Sequence, residues 1–406
     1  MDLISGAPFW SLRNGLIRSY PSLDESVECR VAVLGAGITG ALVAWHLPQA
    51  GVDVVVVDKR DVATGSTCAS TGLLQYEVDT PLHRLVKFVG EDHAVRAYRA
   101  CHAALGKIAK LDRHLGRNHG FERAESIRGA SHADHLPGLR REFELRRRHG
   151  FDVEWWSRTK LARLSTLPYP GALLGCSAAQ IDAHRFTHSL LRGAATRGAR
   201  IYDRTRITRR QSTRHGITLY TDRGQTIRAR HLVIAAGYET APYLADALTN
   251  LVVTFALVTE PRAEFPGWPG KRLIWETARP YVYLRRTDDG RAIIGGYDES
   301  TCDPVRRTVL LPHKTALLAR RFRQLLPQAP CEVAYSWAGT FGETPDGLPY
   351  IGAHPRVPHT LFTLGYGGNG ITFSLIAAEI IRDLVCEGRS RDADLFRFDR
   401  LPGRSK

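Results

Sequence analysis

Two largely apolar runs stand near the start of the chain, VAVL at 31–34 and VDVVVV at 52–57, the second broken only by Asp53. Neither shows the alternation of a half-exposed strand, which predicts parallel strands buried on both faces. The segment between them predicts one helix, with Pro48 late in it and Gly51 closing it. Residues 84–149 carry helical periodicity with few breakers, and 184–210 reads helix, glycine turn, strand. The stretch 216–237 reads as a hairpin followed by a buried strand, HLVIAAG. Strand composition returns at 251–260 and 281–297, where a DDG turn separates YVYLRRT from RAIIGG. Near the C-terminus come a strand, LFTLG, the loop YGGNG, and the helix ITFSLIAAEIIRDLVCEG. Residues 1–26, with Pro8 and Pro21, read as an irregular lead-in. No repeat or low-complexity linker divides the chain, so its domains must interleave.

Composition narrows the class. A chain of 406 residues with 43% hydrophobic and 24% charged residues predicts a soluble protein of two domains. No apolar run reaches the roughly 18 residues of a spanning helix, and the N-terminus lacks the pattern of a secretion signal. Seven scattered cysteines without a CxxC pair predict reduced thiols in a cytoplasmic protein, without disulfides or zinc. The histidines concentrated at 83–149 lack HExxH-type spacing, so no metal is expected. The net charge of +15 favours anionic partners, but only eight of the 56 basic residues are lysines and the surplus is dispersed. Without a nucleic-acid-binding motif, charge alone gives no ground to expect specific nucleic-acid binding.

The chemistry begins at Gly35-Ala-Gly37-Ile38-Thr39-Gly40, which follows a strand and opens a helix. Gly35 allows the tight turn, Gly37 lets backbone approach a pyrophosphate, and Gly40 lets helix pack on strand. The helix N-terminus offers N–H groups and a positive dipole to phosphates. Asp58 ends the second strand, 23 residues after Gly35, where an acid can accept ribose hydroxyls. Three further features favour FAD over NAD: the small-residue loop GSTCASTGLL (65–74), the strand ending at Ala236-Gly237, and GYGGNGIT (365–372) at a helix start. Such a helix start can stabilise negative charge on the pyrimidine side of a flavin.

With VAVLGAGITG, VVVVDKR, GSTCASTGLL, RTRITRR, HLVIAAG, RAIIGGYDE, TPDGLPYIG and GYGGNGIT, the chain resembles the D-amino-acid oxidase/glycine oxidase/sarcosine oxidase-like family of FAD-dependent oxidoreductases. The resemblance implies an α/β protein in which a Rossmann-like FAD-binding domain interleaves with a mixed or antiparallel-sheet substrate domain of α+β type. The expected FAD-binding segments are 27–83, 150–242 and 333–395; the substrate or cap domain takes 84–149 and 243–332. It further implies that Gly35, Gly37, Ile38, Thr39 and Gly40 hold pyrophosphate and that Asp58, with Lys59, meets the adenosine ribose. Ser66, Thr67, Thr71, Gly72 and Leu73 would line the flavin, Ile207 would meet adenine, and Ala236 and Gly237 would lie nearby. Gly367, Gly368, Asn369, Gly370, Ile371 and Thr372 would sit beside the flavin pyrimidine.

The departures from the family concern attachment and substrate. Gly339 and Ala69 stand where some members carry a flavin-linking cysteine or histidine, so noncovalent FAD is expected. Aligning TPDG puts Phe341 where glycine oxidases and D-amino-acid dehydrogenases place an arginine that clamps the substrate carboxylate. Ile293 and Thr372 fall at lysine positions of sarcosine oxidases. Candidate replacements are Tyr281, Tyr283 and Arg285, which share one strand face, and Gln75 and Tyr76 beyond the flavin loop. The implied activity is oxidation of the C–N bond of an amine or amino acid, by hydride transfer to flavin N5 and hydrolysis of the imine. Electrons would pass to oxygen or to a quinone or other carrier. The alternatives are an FAD-dependent hydroxy-acid dehydrogenase, or a flavin subunit of a heteromeric dehydrogenase or tRNA-modifying system.

Overall fold

Residues 3–240, 243–244 and 248–401 are described by the computed structural model. Residue 242, the expected end of the second FAD-binding segment, and residues 1–2 of the lead-in lie outside them. The two apolar runs form strands Val27–Leu34 and Val54–Val57, paired in parallel with Val31 opposite Val54 and Leu34 opposite Val57. Arg200–Tyr202 continues the parallel array on one side, and Thr226–Ile234 and Val357–Leu364 continue it on the other. With Tyr350–His354 at one edge and Ile207–Ser212 and Ile217–Thr221 branching from Thr226–Ile234, the sheet has eight strands.

Helices Ile38–Gln49, Ala183–Ala195 and Gly370–Glu387 share an apolar core on one face of this sheet, with Leu42, Trp45, Phe186 and Ile380 fully or almost fully buried. Pro48 is tolerated because the first of these helices ends just after it, where Gly51, at φ 70°, donates its N–H to the Pro48 carbonyl.

The second sheet has ten strands and is mostly antiparallel. Its path runs from Ile4–Gly6 through Val333–Glu343, Asn250–Thr259, Ala292–Glu299, Val282–Arg286, Leu273–Glu276, Glu122–Gly129 and Gly171–Gln180 to Leu73–Gln75, with Val153–Ser157 branching from Gly171–Gln180. Helix Pro304–Leu325 packs Leu318, Phe322 and Leu325 against Phe255, Ile294 and Ala338.

Hydrogen bonding departs from the expected segments in four places. The lead-in is ordered: Ile4–Gly6 pairs with Val333–Glu343, and helix Phe9–Asn14 buries Phe9 and Trp10. The stretch 84–149 is not all helix, because Glu122–Gly129 joins the larger sheet. Strands Val153–Ser157 and Gly171–Gln180, grouped by sequence with the FAD-binding segments, belong to the larger sheet. The same is true of Leu73–Gln75 and Val333–Glu343, so the chain crosses between sheets at the end of the small-residue loop 65–74.

Candidate active site

A cleft of about 630 Å³ is lined by residues of both sheets. One end is built around the first glycine turn. Gly35 has φ 111°, and a β-carbon there would lie 2.3 Å from the Ala235 carbonyl oxygen. Gly40 does not line the cleft; a β-carbon on it would meet the Gly35 carbonyl at 1.8 Å, so its role is close helix–strand packing. Gly37, Ile38 and Thr39 do line it. The Ile38 N–H donates to Thr67 Oγ1 at 3.0 Å, tying the helix start to the small-residue loop.

Asp58 lies at this end, where its Oδ2 accepts the Ala36 N–H at 2.8 Å and its Oδ1 the Arg60 N–H at 2.9 Å. A carboxylate oxygen has two lone pairs, so each keeps an acceptor site for a ribose hydroxyl. Burial raises the Asp58 pKa against the opposing pull of those two N–H bonds. Lys59 and Arg60 both pair with Glu239, at 2.7 and 2.8 Å. Burial would raise the Glu239 pKa, but hydrogen bonds from Arg60 and Lys59 outweigh it and bring it to about 2. Arg206, Ile207, Ala236 and Gly237 complete this end.

Midway, Ser66, Thr67, Thr71 and Leu73 line the cleft, while Gly72, at φ 72°, does not, and a β-carbon on it would lie 2.1 Å from the Ile181 carbonyl oxygen. Three buried side chains hold this loop from behind. Trp10 Nε1 donates to the Ser70 carbonyl at 2.6 Å and Trp337 Nε1 to the Ala69 carbonyl at 2.8 Å. Arg285 Nη1 donates to the carbonyls of Thr71, Gly72 and Ile181 at 2.9 to 3.1 Å. Arg285 is 2% exposed and does not line the cleft, so it is not the substrate cation that strand alternation suggested. The alternation itself is present: Tyr281 and Tyr283 line the cleft while Val282 and Leu284 enter the core.

Opposite, Gly367, Gly368, Asn369, Gly370 and Ile371 line the cleft at the start of helix Gly370–Glu387. Thr372 lies behind them, with its hydroxyl on the Gln75 carbonyl. Asn369 Nδ2 donates to the carbonyls of Gln75 and Glu77 at 3.1 and 2.9 Å, and Asp79 Oδ2 accepts the Gly368 N–H at 2.7 Å.

The remaining end carries Gln75, Trp275, Tyr281, Tyr283, Phe341, Asp79 and Asp298. Gln75 Nε2 and Trp275 Nε1 both reach Ser126 Oγ at 3.0 Å, and Tyr281 donates to Asp79 Oδ1 at 3.2 Å. Asp298 Oδ1 and the nearby Thr254 Oγ1 are buried without partners among the described residues. Burial, opposed by the Thr254 hydroxyl and reinforced by repulsion from Asp79 and Glu343, pushes the Asp298 pKa up to about 7. Tyr76 is outside this wall, stacked on Phe151 at 5.3 Å, because the next residue along a strand points to the opposite face from Gln75. Ile293, fully buried beside Trp10 and Trp337, is core.

Asp79, Trp275 and Asp298 were missed by sequence reasoning. Asp298 was findable by extending RAIIGG two residues past its last glycine; Trp275 carries no local signal. Among the described lining residues there is no cysteine or histidine. Cys68 beside them is 3% exposed with its thiol bonded to the Gly65 carbonyl, and burial raises its pKa. The turn whose β-carbons are sterically forbidden, the acid with free lone pairs and the long cleft suit a noncovalent dinucleotide.

Residues 30–384 match the family model described as FAD dependent oxidoreductase (DAO). The chain is 27% identical to glycine oxidase of Geobacillus kaustophilus over 368 residues, covering 87% of this chain and 92% of that protein. It is 25% identical to gamma-glutamylputrescine oxidoreductase of Escherichia coli, covering 90% and 85%. Among solved structures, L-proline dehydrogenase from P. horikoshii is similar with a TM-score of 0.77 at 19% identity, covering 93% of this chain and 99% of that one.

Proposed function

The chain belongs to the DAO family of FAD dependent oxidoreductases, and from that premise we propose that it oxidises the C–N bond of an amine or amino acid. Bound FAD supplies the acceptor, at flavin N5, for a hydride from the carbon next to nitrogen. The nitrogen lone pair becomes the second bond of an imine, which water hydrolyses to a carbonyl compound and ammonia or a smaller amine. Gly35, Gly37 and the start of helix Ile38–Gln49 would take the pyrophosphate, Asp58 the adenosine ribose, and Ile207 the adenine. Ser66, Thr67, Thr71, Leu73 and the turn Gly367–Ile371 would hold the flavin.

The observation that carries the reading is the division of the cleft. A nucleotide end built of glycine turns and an acid continues, past the small-residue loop, into a wall of aromatic rings and carboxylates. The substrate amine is held there with its C–H toward the loop, and the aromatic rings exclude water. No base is required if the amine binds neutral. The names of the relatives, an amino-acid oxidase and an amine oxidoreductase, support a nitrogen substrate. A hydroxy acid has less support, because no lysine or arginine lines the substrate end among the described residues. Electrons would then leave to oxygen or to a quinone or other carrier.

Anaerobic mixing of the purified flavoprotein with amines, amino acids and hydroxy acids tests this. Bleaching of the flavin band by at least one amine or amino acid is expected. Bleaching by hydroxy acids alone would overturn the reading.

A further inference from the structure

Charge is distributed unevenly along the cleft. The lysine and arginine residues among its described lining are Lys59, Arg60 and Arg206, all at the nucleotide end. The substrate end has Glu77, Asp79 and Asp298 in its lining, and Glu343 stands two residues after the lining residue Phe341 on the same face of strand Val333–Glu343. Of these, Glu77 has a counter-ion, Arg146 at 3.1 Å. Asp79 takes only uncharged donors at its carboxylate, the Gly368 N–H and the Tyr281 hydroxyl. Asp298, half-buried with its Oδ1 out of solvent, has Thr254 beside it and no ion-pair partner among the described residues. The nearest cation, Arg279, is exposed, donates to the backbone carbonyl of Asp79 and lies over the Tyr281 ring at 4.5 Å.

Burial first, and then repulsion from Asp79, raises the pKa values of Asp298 and Glu343. A cation entering this wall would relieve that repulsion. The aromatic lining suits the same occupant, since Tyr281 and Tyr283, with ring centroids 5.8 Å apart, and Trp275 next to Tyr281 offer faces that attract ammonium groups. A substrate carboxylate finds the reverse. The arginine position of relatives is Phe341, Thr372 and Ile293 are turned to other contacts, and Arg285 is committed to backbone carbonyls.

Resting on the C–N oxidation reading above, we infer that the substrate is an amine carrying a second positive charge, remote from the nitrogen that is oxidised, and that Asp298, Asp79 and Glu343 receive it. The reactive nitrogen has to be neutral to release a hydride, so it cannot itself neutralise the wall. A diamine satisfies both requirements.

The test compares diamines with the monoamines of equal chain length on the FAD-loaded protein. Putrescine and cadaverine are set against butylamine and pentylamine, with glycine, sarcosine and D-alanine alongside. Binding is read by perturbation of the flavin spectrum and turnover by anaerobic bleaching. Half-saturation at least about 10-fold lower for each diamine than for its monoamine is expected, with the ratio falling toward unity in Asp298→Asn and in Glu343→Gln. The second variant guards against a folding defect in the first, and the wild-type ratio stands without either. Equal half-saturation of diamine and monoamine in the wild type, or a ratio untouched in both folded variants, would overturn the inference. Bleaching by the amino acids but not the diamines would overturn it while leaving C–N oxidation standing. Bleaching by none would remove both.

Discussion

Asp298 is the residue on which the proposed substrate end turns. It lies at the end of strand Ala292–Glu299, beside a register shift in the pairing with Asn250–Thr259, and it borders the cleft with one oxygen unpartnered. Its pKa of about 7 in the folded protein exceeds the ordinary carboxylate value, so the unfolded chain releases this proton first. In the ligand-free protein, stability is therefore expected to fall as pH rises from about 4 to about 7, and to level off above. Asp298→Asn removes that dependence. Its stability relative to wild type should grow from nothing near pH 4 to on the order of 1–2 kcal/mol at pH 8, a figure discounted for partial solvent access. Paired urea melts across that range check it, and a difference that stays flat with pH would contradict the role. Phe341 belongs to the same scale. Its identity alone argued against an arginine-held carboxylate, and its place in the cleft lining keeps that argument intact.

Strand Val282–Arg286 gives a different lesson at the scale of elements. Period-two alternation put Tyr281 and Tyr283 on the cleft side, yet Arg285 lies beneath the small-residue loop 65–74. The carbonyl partners of its Nη1 are at 71, 72 and 181, far away in sequence, so no local pattern could reveal them. Arg285→Met leaves some of those buried carbonyls short of donors and is expected to cost roughly 2–4 kcal/mol of stability. FAD occupancy should fall with it, read by Tm and by the flavin-to-protein absorbance ratio. An unchanged Tm with weaker substrate binding would return Arg285 to the substrate. The glycine turn, by contrast, was legible because strand, turn, helix and terminal acid all fall within residues 31–58 and depend on local geometry. Strand Glu122–Gly129 was hidden by its charges. Arg128, only 7% exposed, is accommodated over the Trp275 ring at 4.4 Å, a long-range pairing that erases the apolar signal.

At the scale of the whole molecule, the chain crosses between its two sheets several times, and the cleft is lined from both. The smaller sheet and its helix starts supply the glycine-turn end of the cleft, most of whose lining residues fall within the sequence motifs. The larger sheet supplies Trp275, Tyr281, Tyr283, Asp298 and Phe341 from strands or strand ends distant in sequence, so this aromatic and acidic wall emerged only in three dimensions. Among the described residues no helix is long and apolar enough to cross a membrane. The central claim is that this cleft oxidises a C–N bond at the expense of bound FAD. Product analysis after a single anaerobic turnover tests it most directly, with the best-bleaching amine or amino acid mixed against the flavoprotein and the solution assayed for carbonyl product and for released ammonia or amine. Both should appear in amounts equal to the flavin reduced. Full bleaching without a carbonyl product, or without release of nitrogen, would contradict it.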